Sequence, residues 1–248
     1  MTSPDQQRVV IVTGATGGLG KALARELNQR QISAVLCGRN IKLLEDLYDE
    51  LDATQLAQPA IYPVDHAGAS MPDYQELLRT IETEYGRLDG IAYCAADIGR
   101  TTPLDVYPPN LWQQVMRVNC DAAFMLSTAA LPLMKQTGNA NIVLTIDDKK
   151  SAFWGAYACS KSALTTLAQV LADETEGFTD DQGNTLVTVN AVHPGRMRTR
   201  LRATAYSGEL PQQSPLPETR VEGLLDVLLR KDNSRTGDII YLAENESA

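Results

Sequence analysis

The sequence predicts an α/β fold, a single doubly wound parallel sheet with helices on both faces, built from residues 1–248 as one domain. Three observations predict it. Short β-branched apolar runs alternate along the chain with amphipathic stretches of about ten or more residues, the pattern of parallel strands joined by helical crossovers. A strand, a glycine turn and a helix start follow one another in Arg8–Lys21, RVVIVTGATGGLGK. No linker, repeat or low-complexity block interrupts the alternation.

Val9–Val12 is too short for a helix and apolar enough for a buried strand, and KALARELNQR after the glycines places Ala22, Leu23 and Leu27 on one helical face. Ser33–Cys37 reads as a second strand closed by Gly38-Arg39-Asn40, and Ile41–Leu51 as a helix with apolar residues at 41, 44, 47 and 51. Ala60–Val64 is a third strand, Asp73–Tyr85 an amphipathic helix, and Leu88–Cys94 a fourth strand. A loop with Pro103, Pro108 and Pro109 leads into a long helix over Asn110–Lys135. Asn141–Ile146 is a fifth strand, Ala156–Thr175 a second long helix, and Leu186–Val192 a sixth strand. Pro194–Pro217 reads as an irregular excursion, Val221–Arg230 as a helix and Asp238–Leu242 as the last strand. Crossovers of this kind are right-handed.

Composition narrows the function. At 248 residues the chain is long enough to bury a full core, and 44% hydrophobic with 21% charged residues is ordinary for a globular protein. A net charge of −9 argues against nucleic acid as a partner, because phosphate-backbone binding needs a basic field. MTSPDQQRVV lacks the basic-plus-apolar pattern of a signal peptide, and no apolar run approaches membrane-spanning length, so a cytoplasmic protein with no membrane association is expected. Cys37, Cys94, Cys120 and Cys159 have no paired spacing and read as reduced thiols. His66 and His193 are the only histidines, which leaves no histidine-rich metal site, and no metal is expected.

The glycines at 14, 17, 18 and 20 carry the first chemical signal. Between a strand and a helix start they form an anion cradle: the backbone can approach a phosphate, and free helix N–H groups with the helix dipole favour negative charge. About twenty residues further on, where such a fold reads the adenosine ribose, there is no acid to take the hydroxyls of NAD. Arg39 stands there instead, with a guanidinium suited to a 2′-phosphate, so NADP(H) is favoured over NAD(H). Tyr157 and Lys161 are four apart and share a helix face. A neighbouring ammonium draws the phenol below its usual value near pH 10, which suits it to exchange a proton with a carbonyl or alcohol oxygen.

With these residues in place, the chain resembles the short-chain dehydrogenase/reductase family, in its tyrosine–lysine branch of Rossmann-like proteins. The resemblance runs over nearly the whole length and is carried by Thr13-Gly14-x-x-x-Gly18-x-Gly20, Asp65, Asn119 in Arg117-Val118-Asn119, Tyr157-x-x-x-Lys161, and Asn190-Ala191-Val192-His193-Pro194-Gly195 with Thr199. WGAYA-S-K and PG-x-x-RT are similar to segments of a set of poorly characterised bacterial oxidoreductases. The resemblance implies that Gly14, Thr16, Gly18, Leu19 and Gly20 line the pyrophosphate, Arg39 the ribose phosphate, Asp65 the adenine and Ala95 the cofactor path. It implies Pro194, Gly195 and Thr199 over the nicotinamide, Tyr157 as acid/base, Lys161 on the nicotinamide ribose, and Asn119 on a water that extends the relay. It also implies a small carbonyl or alcohol substrate and a homodimer or homotetramer paired through the two long helices. Asp65 as a helix cap and Asn119 as a purely structural asparagine remain open readings.

Two departures stand out. Tyr93-Cys94-Ala95-Ala96 replaces the family's Asn-Asn-Ala-Gly after the fourth strand. The family's catalytic serine after the fifth strand is missing too: the strand pattern offers Asp147, counting back from Tyr157 reaches Leu144 or Thr145, and the nearest serine is Ser151. The segment before Tyr157 is about three residues shorter than usual for the family. An ionised Asp147 opposes an oxyanion and works against Lys161, unless Lys149 or Lys150 neutralises it. An alternative function follows, a dinucleotide-binding sensor or scaffold with weak or lost catalysis. Arg196, Arg198, Arg200 and Arg202 either receive an anion or pair with surface carboxylates, while Trp112, Trp154 and Met125 read as packing residues.

Overall fold

Val9 and Ile11 pack on one side of the first strand and Val10 and Val12 on the other, and none is exposed, so both faces of the strand must be covered. In the computed structural model, which describes residues 7–229 and 235–243, they are. Seven parallel strands form one sheet in the order β3-β2-β1-β4-β5-β6-β7. These are β1 (Val9–Thr13), β2 (Ser33–Gly38), β3 (Ala60–Pro63), β4 (Gly90–Tyr93), β5 (Ala140–Thr145), β6 (Val187–His193) and β7 (Ile239–Tyr241). The helices are α1 (Gly18–Gln29), α2 (Ile41–Asp52), α3 (Met71–Tyr85), α4 (Pro109–Met116), α5 (Ala122–Thr137), α6 (Gly155–Glu176), α7 (Arg200–Ala205) and α8 (Val221–Leu228).

Each face of the sheet has its own core. Leu77, Ile81, Leu126, Leu133, Leu164 and Leu171 from α3, α5 and α6 cover Val9 and Ile11. Leu23, Leu27, Leu44, Leu47, Leu224 and Leu228 from α1, α2 and α8 cover Val10 and Val12. Each such buried side chain contributes roughly 1.5–3 kcal/mol. The order reverses between β1 and β4, so their carboxyl ends diverge around a crevice, the usual ligand position in this architecture.

The expected elements are present, with three differences. The long helix expected over Asn110–Lys135 is α4 and α5 joined by a π-helical turn at Arg117–Asp121, which an apolar period does not reveal. The excursion after Pro194 contains α7, which Thr199 caps by accepting a hydrogen bond from the Arg202 N–H. Asp65 is not a helix cap. Ser70 caps α3 in a reciprocal arrangement with Asp73, and the exposed Asp65 accepts from the Ala67 N–H within a turn. Arg230, the expected end of the last helix, lies outside the described residues. Among the described residues no helix is long and apolar enough to cross a membrane.

Candidate active site

The glycine turn is built for a close backbone approach. Gly14 has φ +61°, and a Cβ there would lie 3.0 Å from the backbone of Cys94 and Ala95, at the end of β4. A Cβ on Gly20 would come within 2.4 Å of the Gly14 carbonyl oxygen. Thr13 ties the two strand ends together, its hydroxyl accepting from the Cys94 and Ala95 N–H groups at 3.0 and 3.1 Å. The replacement of the family's asparagines is therefore absorbed locally. Tyr93 is buried and donates to the Val118 carbonyl, while burial pushes the Cys94 thiol up to about 12 and leaves it inert. Gly17, the N-cap of α1, has no side chain to bond the first-turn N–H groups at the cradle.

Arg39 and Asp65 lie exposed just past β2 and β3, on the same edge of the sheet as the cradle. Thr16 and Leu19 flank the turn, and Thr199 sits against Gly18, so the excursion folds over the cradle from the β6 side. Pro194 and Gly195 follow β6 directly, Gly195 at φ +77°.

Across the crevice, α6 begins immediately after the loop from β5 and carries Tyr157 and Lys161 inward, both buried. Lys161 donates its ammonium to the Thr145 carbonyl at 2.7 Å, and its Nζ lies 5.9 Å from the Tyr157 ring centre. Burial draws the Lys161 pKa down to about 8 against an upward pull from Asp147. The Tyr157 phenol donates to Asp147 Oδ2 at 3.0 Å. Burial first, then the Asp147 carboxylate, pushes the phenol well above its usual value. The expectation that Lys161 draws Tyr157 down is therefore reversed in the protein alone, because desolvation and the carboxylate both disfavour the phenolate.

The three candidates for the missing serine are now separable. Thr145 spends its hydroxyl on the Tyr93 carbonyl at 2.7 Å, Ser151 is exposed, and Asp147 stands beside the phenol. Lys149 contributes its backbone N–H to Asp147 Oδ1 at 2.9 Å but sends its ammonium over the Trp154 and Tyr206 rings, 5.3 and 5.7 Å from their centres. It makes no ion pair with Asp147. His193 completes the group, with Nε2 3.9 Å from Asp147 and 3.4 Å from Asp148. Polar atoms of Asp147, Asp148 and His193 fall within 4.8 Å of one another. The Gly195 N–H donates to His193 Nδ1 at 3.2 Å, so the ring proton sits on Nε2, where a metal would need a lone pair.

Asn119 projects from the π-helical turn and is buried. Its amide donates to the Asp97 carbonyl and to the Ser160 hydroxyl, both at 2.8 Å, and its oxygen accepts from the Asp97 N–H at 2.7 Å. It thus locks the loop after β4 to α6. Of the residues the sequence marked, Tyr157, Lys161 and Asn119 converge on this side of the crevice. Sequence reasoning missed Trp154 as a wall. Its ring lies 5.7 Å from Tyr157 and 5.4 Å from Tyr206, while Trp112 is a packing residue against Tyr107 as expected. His193 was readable only as part of a motif, since its contact with Asp147 joins the ends of two strands. Among the arginines, Arg202 pairs with Glu209 and Arg198 donates to the Pro211 carbonyl.

The profile described as short chain dehydrogenase matches residues 8–210. The chain belongs to that family. It is 34% identical over 213 residues to an uncharacterized oxidoreductase, YciK, of Escherichia coli K12, covering 85% of this chain and 81% of the relative. It is similar to the short chain dehydrogenase from Shigella flexneri, with TM-score 0.87 and 30% identity over 99% of this chain and 95% of that one. It is also similar to a structure from Escherichia coli CFT073 complexed with NADPH, with TM-score 0.88 and 32% identity over 97% of this chain and all (100%) of the other. The family supplies oxidoreductases that use a nicotinamide cofactor, with NADP favoured among these neighbours, and the glycine cradle with its uncapped helix start fits such a group.

Proposed function

We propose that this protein is an NADPH-preferring oxidoreductase that exchanges hydride with a carbonyl or alcohol substrate. The observation that carries the reading is the convergence of Tyr157 and Lys161 at the carboxyl end of β5, facing the glycine cradle at the end of β1. When bound, the cofactor supplies or accepts the hydride. The chain does the rest. Gly14, Thr16, Gly18, Leu19 and Gly20 seat the pyrophosphate at the start of α1, and Arg39 meets the 2′-phosphate beyond β2. Asp65 borders the adenine, Ala95 the cofactor path, and Pro194, Gly195 and Thr199 the nicotinamide. Tyr157 gives a proton to the substrate oxygen or takes one from it, Lys161 holds the nicotinamide ribose, and Asn119 supports the relay by fixing the loop after β4.

Tyr157→Phe tests the assignment: NADPH oxidation with a carbonyl panel should fall about 10²–10⁴-fold, while NADPH binding followed by fluorescence survives. An unchanged rate rejects it. The Tyr157–Asp147 hydrogen bond favours a second reading, a nucleotide-binding sensor with lost chemistry. Wild-type protein that binds NADPH yet turns over no acceptor would support that reading.

A cytoplasmic homodimer or homotetramer is part of the proposal. Phe124 on α5 and Val170 on α6 are 46% and 48% exposed, apolar positions on the two long helices that a partner copy would cover. Sedimentation at micromolar concentration tests it; a monomer overturns it.

A further inference from the structure

We propose that Asp147 makes this centre selective for acceptors that carry positive charge at the reacting atom, namely protonated C=N bonds, ahead of the C=O bonds of simple ketones. The inference rests on the oxidoreductase reading above and extends its substrate class.

The argument is one of charge sign. Reduction of a ketone builds negative charge on oxygen, and a competent site meets that oxygen with hydrogen-bond donors and positive charge. Here the acceptor's heteroatom, placed within reach of the Tyr157 hydroxyl, lands beside a carboxylate 3.0 Å from that hydroxyl. The Asp147 side chain is 36% exposed beside the Tyr157 phenol, whereas the Lys161 ammonium is buried and turned onto the Thr145 carbonyl. The charge an acceptor meets first is therefore negative. Its surroundings leave it so. Lys149 offers only its backbone N–H, His193 offers a ring whose Nδ1 is already bonded by the Gly195 N–H, and Asp148 adds a second carboxylate at the same Nε2 edge of that ring.

A protonated C=N bond reverses the sign. Its nitrogen is still partly positive in the transition state, so Asp147 stabilises the reacting form relative to the neutral imine in water. Its N–H is also a donor, which the free lone pairs of Asp147 can accept. The step balances without a proton from the protein. A C–H bond forms from the reduced nicotinamide's hydride, the C=N π pair becomes the amine lone pair, the nicotinamide is oxidised, and the nitrogen keeps the proton it brought from solvent.

The wall of the crevice gives an independent sign. The Trp154 and Tyr206 rings already hold the Lys149 ammonium, and Arg202 stacks over the same Tyr206 at 4.4 Å. Aromatic faces that attract cations from the chain would attract an organic cation that displaces the flexible Lys149.

The test uses the full chain loaded with NADP⁺. Calorimetry compares piperidine, a cation at pH 7, with cyclohexanol, its neutral counterpart in size. The amine should bind about tenfold or more tightly, and Asp147→Asn should remove the difference while NADP⁺ affinity changes less than about twofold. In turnover, the cyclic imine 1-piperideine should outpace cyclohexanone in the wild type, with Asp147→Ser reversing the order. Equal binding of amine and alcohol, or a wild type that reduces the ketone faster, overturns the role of Asp147 and leaves the oxidoreductase reading standing. Failure to bind NADP⁺ at all overturns both.

Discussion

Lys161→Met should make the protein more stable while removing its activity. Folding takes the Lys161 side chain from water into a fully buried position and lowers its pKa from 10.5 to about 8. That difference corresponds to about 3 kcal/mol of penalty for keeping the charge inside at pH 7. Methionine has a similar unbranched shape but carries no charge. Against the gain stands the Thr145 carbonyl, which loses a 2.7 Å donor at a cost of about 1–2 kcal/mol. The net is a stabilisation of about 1–2 kcal/mol at pH 7, a rise in Tm of about 2–8 °C for a chain of this size. The pH dependence carries the sign. Between about pH 8 and 10.5 the unfolded chain still holds the Lys161 proton and the folded one has shed it. Wild-type stability therefore rises with pH across that window and is lost as pH falls back through it. The variant lacks this contribution, so its advantage should be full below pH 8 and shrink toward pH 10.5. Urea denaturation of both proteins at pH 7 and pH 10.5 measures it. A variant less stable than wild type at pH 7, or a gap of equal size at both pH values, refutes the reasoning.

Other expectations concern the cradle, the cofactor's ribose end and the buried histidine. Arg39→Ala should weaken NADPH binding about 10–100-fold and leave NADH little changed, as measured by fluorescence titration; equal losses count against a 2′-phosphate contact. Gly20→Ala places a methyl 2.4 Å from the Gly14 carbonyl, so denaturant midpoints should show a loss of about 1–3 kcal/mol together with weaker cofactor binding. Burial lowers the His66 pKa from 6.5 to about 4, and the ring sits against Tyr74, whose hydroxyl is 2.8 Å from Nδ1. The unfolded chain gains that proton first as pH falls, so stability should drop by about 3 kcal/mol between pH 6.5 and 4. His66→Gln should lack this part of the slope.

How far the sequence reaches depends on how local the cause is. The β1–turn–α1 unit was fully legible, because apolar runs, glycines and a helix-forming stretch are adjacent in the chain. Strand and helix ends shifted by only a few residues. The helix expected over Val221–Arg230 is present as Val221–Leu228, and the parallel sheet expected from the alternation of elements is present, although the alternation does not state its strand order. What escaped was either irregular or distant. The π-helical turn keeps an apolar pattern on both sides and so reads as one straight helix. The short α7 is hidden among arginines, with only its Thr199 cap as a signal. The Asp147–His193 contact joins residues 46 positions apart at the ends of β5 and β6, and only the parallel pairing of those strands brings them together. The direction of the Tyr157 pKa went the other way for the same reason. Helical spacing shows the lysine, while the carboxylate and the burial come from the fold.

The widened turn at Arg117–Asp121 has a consequence for how this chain tolerates insertions and deletions. Each residue added to or removed from a helix rotates everything after it by about 100°. Asn119 and the Leu126–Leu133 face of α5 are therefore geared together through that one loose coil. Deleting a single residue there would either hold the amide against Asp97 and swing the leucines away from the sheet, or keep the leucines seated and carry the amide out of the crevice.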